Sequence, residues 1–138
     1  MGGCGGTGKT QIINAILLAA EILDLKGKCC VTASTGTAAS HIKGKTVHSA
    51  VGLTAKDRST ITPGKLLTLQ NVLRNIVLFI IDEISMVSTK LLGEIDRNYT
   101  QIFELPITGS AVLGGVPLVL FFGDFVRGFR PPYLIRAR

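Results

Sequence analysis

The chain has 138 residues and a net charge of +6, from 15 basic and 9 acidic side chains, with 46% apolar and 17% charged residues. That length corresponds to one domain or part of one, and the composition excludes long disordered tracts and coiled coils. The apolar runs Ile76–Ile81 and Val116–Phe122 are far shorter than the roughly 18–20 residues a spanning helix needs, so no membrane partner is expected.

The first predicted element is a glycine-rich loop, Gly2–Gly8. Met1–Gly6 has neither the basic start nor the apolar middle of a signal peptide. A helix is expected over Lys9–Leu25, with Ile12, Ile16, Ala19 or Ala20, and Leu23 on its buried stripe and Gly27 as its stop. Cys29–Ala33 reads as a short strand. Ser34–Gly44 reads as a loop leading into a short helix, and Thr46–Leu53 has no decisive period. Thr54–Gly64 reads as a polar loop, and Thr62-Pro63 begins a helix through about Asn75. Ile76–Ile81 is a buried strand. Ser88 caps a helix to about Leu105, Pro106–Gly115 is a loop, Pro117–Phe122 is a third buried strand, and Gly123–Arg138 is irregular. Strands alternating with helices, each strand a continuous apolar run, predict an α/β fold with a parallel sheet.

Charge is uneven. Residues 1–81 hold nine basic and three acidic side chains, whereas residues 82–126 hold two and six. The last twelve residues add Arg127, Arg130, Arg136 and Arg138 with no acid. A basic excess suits polyanions, and equally a solvated surface with a basic tail. Three cysteines, Cys4, Cys29 and Cys30, with no C-x-x-C spacing argue against a disulfide framework or zinc site and for a reducing, intracellular setting.

Gly3-Cys4-Gly5-Gly6-Thr7-Gly8-Lys9-Thr10 fits G-x-x-x-x-G-K-[ST]. Glycines at this spacing let successive backbone N–H groups of Gly5, Gly6, Thr7 and Gly8 face phosphate oxygens, at the positive end of the helix that follows. Lys9 would reach the β- and γ-phosphates, and Thr10 would offer its hydroxyl to Mg²⁺. The same stretch satisfies G-x-G-x-x-G through Gly3, Gly5 and Gly8. A dinucleotide site also expects an acidic residue at the end of the next strand, and Ser34 and Thr35 stand there.

The strand Ile76–Ile81 ends in Asp82-Glu83, two carboxylates at the usual ligand crevice of an open α/β sheet. Asp82 would hold Mg²⁺ and Glu83 would deprotonate an attacking water. Taken alone the pair equally reads as the start of a turn. The third strand ends in Gly123-Asp124, where Asp124 would face metal-bound water or the γ-phosphate side, or form an ordinary turn.

Five stretches resemble the petite-integration-frequency (PIF) family of DNA helicases. They are Gly5–Thr10; Thr35-Gly36 with Ala38-Ala39; Gly44 followed by Thr46-Val47-His48-Ser49; Ile80–Val87; and Gly114-Gly115 leading into Gly123-Asp124-Phe125. The resemblance implies a RecA-like phosphate-loop core that uses ATP and Mg²⁺ and moves 5′ to 3′ on single-stranded DNA. It further implies roles in repair, recombination and telomere maintenance, in the nucleus or mitochondrion. It places Thr35-Gly36 and the Thr46–Ser49 segment, with His48, along the DNA path, where Lys43 and Lys45 would add charge. His48 without that resemblance reads as a partly buried histidine. Arg127 stands where the family has a γ-phosphate-sensing glutamine.

The family places a strand before the phosphate loop and a second motor domain after the third motif. The expectation is therefore a partial first motor domain over residues 1–138, with the other domain absent. Two other readings stand beside it: a non-catalytic module that binds nucleotide or single-stranded DNA, and an unrelated phosphate-loop enzyme such as a small-molecule kinase.

Overall fold

The computed structural model describes residues 8–53, 61–104 and 113–123. In chain order the elements are α1 (Lys9–Ile22), β1 (Cys29–Ala33), α2 (Gly36–His41), β2 (Lys45–Thr46), α3 (Val47–Ala50), α4 (Pro63–Leu73), β3 (Leu78–Asp82), α5 (Thr89–Ile102) and β4 (Leu118–Phe121). Single 3₁₀ turns lie at Lys26–Lys28, Ile84–Met86 and Leu113–Gly115.

The four strands form one parallel sheet in the order β2-β1-β3-β4. All five residues of β3 are buried, as a strand covered on both faces must be. Its side chains alternate between two cores. Leu78 and Ile80 meet Ile13 of α1 and Ala39 of α2 on one face. Phe79 and Ile81 meet Val47 of α3, Leu73 of α4, and Ile95 and Tyr99 of α5 on the other. Tyr99 stacks between Phe79 and Phe103, with ring centroids 4.9 Å and 5.7 Å away.

Local chemistry accounts for the element ends. Ser88 caps α5 by accepting the Leu91 N–H at 3.1 Å, as expected from sequence. Pro63 occupies the first turn of α4, where its missing N–H costs nothing. The segment with no decisive period resolves into β2 and α3. Gly44 makes this possible, because a Cβ there would lie 2.6 Å from the Val31 carbonyl oxygen.

Two expectations need correction. The buried stripe of α1 is Ile13 and Ala20, flanked by Ile16 and Leu17, while Ile12 and Leu23 are 52% and 68% exposed. The helix carries apolar residues around much of its circumference, so periodicity alone accommodates two stripes; packing against Ala33 and Ile80 selects one. The helix also ends before Gly27. Asp24 adopts φ 58°, and the Leu25 and Asp24 N–H groups return to the carbonyls of Ala20 and Glu21. This is a Schellman closure with aspartate in the place usually held by glycine. α2 closes the same way, with Lys43 at φ 51° and bonds from Gly44 to Ala39 and Lys43 to Ser40.

Smaller shifts concern α4, which stops at Leu73, and α5, which stops at Ile102. β3 begins at Leu78 and runs through Asp82, because Ile76 is still bonded back to Leu73. The loops expected over 54–60 and 105–112, and the tail from 124, lie outside the described residues. No helix among the described residues is long and apolar enough to cross a membrane.

Asp24→Gly is expected to raise stability by about 1 kcal/mol, since a left-handed non-glycine residue costs roughly 1–2 kcal/mol. Ile80→Ala is expected to lower it by about 2–5 kcal/mol through the cavity left in the central strand. Urea unfolding midpoints at constant slope check both.

Candidate phosphate-loop site

The C-terminal ends of β1 and β3 and the first turn of α1 meet at one edge of the sheet. Register fixes part of this meeting: Ala33 pairs with Asp82, and the Ser34 N–H donates to the Asp82 carbonyl at 3.2 Å. At the entrance to α1, Gly8 holds φ 71° and its carbonyl accepts the Ile12 N–H, so the chain turns into the helix through a left-handed residue. Lys9 and Thr10 then occupy the first turn, Thr10 exposed.

Lys9, Asp82 and Glu83 come together although Lys9 is far from the other two in sequence. The Lys9 Nζ lies 3.8 Å from Glu83 Oε1, both side chains partly exposed. Asp82 is 7% exposed, and its Oδ1 accepts the Glu83 N–H at 2.9 Å. That bond aims the carboxylate along the strand end. Glu83 adopts φ 56°, ψ 44°, a left-handed conformation that a non-glycine residue holds only where its surroundings demand it. The demand is visible: the next residue, Ile84, is buried and donates its N–H to the Phe122 carbonyl at the end of β4. The chain therefore turns sharply at Glu83, which leaves its carboxylate beside Lys9.

The donors available here suit a hard cation. Thr10, in the first turn of α1, carries a hydroxyl and Asp82, at the end of β3, a carboxylate, and oxygen ligands of this kind fit Mg²⁺. Among the described residues no three His, Cys, Asp or Glu side chains converge as a closed metal centre. Gly5, Gly6, Thr7, Asp124 and Arg127 lie outside the described residues.

A second group lines the same edge beyond β1. Thr35 caps α2 by accepting the Ala38 N–H at 3.2 Å, and Gly36 is exposed at the first position of that helix. Thr46 caps α3 by accepting the Ser49 N–H at 3.3 Å. A threonine hydroxyl that accepts a capping bond still has its own O–H to donate, so both remain able to meet a phosphate oxygen. Lys43 and Lys45 are exposed, and His48 is half-buried on α3. Asn98 of α5 donates to the Val51 carbonyl at 3.0 Å and Lys65 of α4 to the Gly52 carbonyl at 2.6 Å, which ties down the chain just after α3.

Sequence reasoning passed over Ser34, Asn98 and Lys65. The Ser34 hydroxyl is buried at the β1 end with no hydrogen-bond partner. Its signal was only its place between an apolar strand and Thr35-Gly36. Asn98 and Lys65 act across long sequence separations, for which no local pattern exists.

The fold and this edge define an α/β RecA-like core. Comparisons with known proteins agree: residues 1–131 match the family model for PIF1-like helicase. The chain belongs to the PIF1-like helicase family. It is similar to the ATP-dependent DNA helicase PIF1 of Trypanosoma brucei brucei, 33% identical over 127 residues, which cover 92% of this chain and 12% of that protein. It is also similar to the ATP-dependent DNA helicase RRM3 of Saccharomyces cerevisiae, 35% identical over 128 residues, covering 89% of this chain and 17% of the relative. Among solved structures, Bacteroides Pif1 bound to single-stranded DNA aligns with TM-score 0.62 and 34% identity, over 86% of this chain and 26% of that one. The Bacteroides sp Pif1 complex with ADP-AlF4 gives TM-score 0.62 at 32% identity, over 86% and 26% of the two chains. The chain thus spans a small share of the length of the relatives it matches.

Glu83→Gly is expected to leave thermal stability unchanged or higher. Glu83→Val, β-branched in a left-handed position, is expected to lower it by about 1–2 kcal/mol. Melting curves of the two variants beside the parent chain check this.

Proposed function

We propose that this chain is part of the first motor domain of an ATP-dependent DNA helicase, carrying one half of the nucleotide site and one wall of a single-strand path. The observation that supports this best is the meeting of Lys9, Asp82 and Glu83 at one sheet edge. The family membership and the nucleotide-analogue and single-stranded-DNA complexes of its Bacteroides relative support it further.

In this reading the backbone of Gly5, Gly6, Thr7 and Gly8 cradles the phosphates and Lys9 bonds the β- and γ-phosphates. Thr10 and Asp82 hold Mg²⁺, which when bound neutralises phosphate charge. Glu83 takes the proton of an attacking water as the oxygen bonds to the γ-phosphorus and the bond to the bridging oxygen breaks, giving ADP and phosphate. Asp124 and Arg127 belong to the γ-phosphate side of this site, Arg127 replacing an uncharged sensor with a permanent cation. The Lys9–Glu83 ion pair must open for the lysine to meet phosphate and the carboxylate to meet water. Nucleotide binding and readiness of the base are thereby coupled.

Thr35, Gly36, Lys43, Lys45, Thr46 and His48 form the single-strand wall, gripping phosphates through hydroxyls, N–H groups and charge without reading bases. Movement is 5′ to 3′, and the biological setting is genome maintenance in the nucleus or mitochondrion. A second motor domain completes the site; an arginine finger of the kind such a domain supplies is worth about 10³–10⁵ in rate.

The 138-residue chain is expected to bind Mg²⁺-ATP and turn it over slowly. Lys9→Ala should weaken binding of a fluorescent ATP analogue by about tenfold or more, as loss of a charge-assisted bond to phosphate implies. Glu83→Gln should keep or tighten binding, because it removes a carboxylate that competes with phosphate for Lys9, while abolishing turnover. Turnover unchanged in Glu83→Gln sinks the base assignment. Binding without any turnover, in the chain alone and in the chain joined to a relative's second motor domain, favours the non-catalytic reading.

Single-stranded DNA affinity is expected to fall with salt. Replacing Lys43 and Lys45 together by alanine should reduce the log–log salt slope by about 1.4, at roughly 0.7 per phosphate contact. Fluorescence anisotropy with a labelled oligonucleotide over a salt series measures it.

A further inference from the structure

A cavity of about 390 Å³ lies away from the nucleotide edge, on the other flank of β1. Its origin is the shortness of β2. Two residues of β2 pair with Thr32 and Ala33, which leaves the Cys29–Val31 edge of β1 without a strand among the described residues. α3 and α4 stand over that gap without filling it. The walls are apolar: Val31 from the strand, Leu69, Val72 and Leu73 from α4, and Ile76 beyond it. Lys43 and Lys45 supply ammonium groups, and Ser49 and Thr68 supply hydroxyls. Among the described residues no acidic side chain lines the cavity. Its volume falls in the range of small-ligand pockets, and apolar walls with a few polar groups are their usual construction.

The cavity also presents a sulfur. Cys30 lines it, and burial pushes the thiol up to about 11, so the sulfur stays neutral and offers no counter-charge to the lysines.

We propose that this cavity is a binding site for a small anionic amphiphile. An aromatic body of naphthalene size lies against Val31, Leu69 and Leu73, and a single carboxylate, sulfonate or phosphate head meets Lys43 and Lys45. The site shares Lys43 and Lys45 with the proposed single-strand wall, but includes none of Lys9, Thr10, Asp82 and Glu83 and does not depend on the nucleotide chemistry proposed above.

The test titrates 1-naphthalenesulfonate into the 138-residue chain by calorimetry, beside the uncharged 1-naphthalenesulfonamide. Saturable one-to-one binding of the sulfonate is expected, with the sulfonamide weaker by about tenfold, as loss of a charge-assisted bond implies. Lys45→Glu should weaken the sulfonate by at least as much. Thr68→Trp, which turns an indole into the cavity from an exposed helix position, should abolish binding while circular dichroism stays native. Val72→Trp serves if that variant does not fold. Saturating Mg²⁺-ATP should not displace the probe. Equal affinity for the two probes, displacement by ATP, binding that survives a folded cavity-filling variant, or no saturable binding overturns the proposal.

Discussion

The burial of β3 on both faces is the constraint from which the rest of the structure follows. Five successive residues, Leu78–Asp82, have no face toward water, so the strand needs neighbours on both edges and helices above and below. β1 and β4 satisfy the edges. α1 and α2 cover Leu78 and Ile80, and α3, α4 and α5 cover Phe79 and Ile81. Parallel pairing then directs the C-terminal ends of all four strands to one edge, where Thr35, Gly36, Thr46, His48, Asp82 and Glu83 lie at or just after strand ends; Lys43 instead precedes β2.

That edge is held by main-chain bonds more than by side-chain pairing. Ser34 to Asp82, Ile84 to Phe122 and Phe122 to Ile81 link the strand tips to one another. The acidic pair is thereby positioned by backbone that does not depend on the ionisation of either carboxylate. The charged contact across the edge, Lys9 to Glu83, is long and partly exposed, so it is a weak tie and easily exchanged. Rigid support beneath an exchangeable ion pair suits the proposed mechanism, in which the lysine passes between a carboxylate and a phosphate.

The segment proposed as the single-strand wall shows the same economy. Thr35 and Thr46 each end a strand and start a helix, using one hydroxyl as the cap. Short helices beginning at these points direct N–H groups outward at the same edge as the acidic pair. β2 is only Lys45–Thr46, and the cavity beside Cys30 lies along the part of β1 that it leaves uncovered.

Much of this was legible beforehand because it rests on local chemistry. Continuous apolar runs identified β1, β3 and β4; Ser88 marked the start of α5 and Pro63 that of α4. Glycine spacing before Lys9 and the Asp82-Glu83 pair after an apolar run marked the candidate site. Where the sequence misled, a local rule had two solutions. α1 is apolar on more than one face, and the sheet chose Ile13 over Ile12. Its stop was sought at a glycine, yet Asp24 took the left-handed position, closed by the bonds from Asp24 to Glu21 and Leu25 to Ala20. Sequence by itself determined the strand–helix alternation, the caps and the residue types capable of phosphate chemistry, all of which are short-range properties. Tertiary structure alone decided that Lys9 meets Glu83, that Asn98 and Lys65 hold the chain after α3, and that a cavity remains beside β1. Each depends on contacts between residues far apart in sequence, which only the register of the sheet and the packing on its two faces bring together.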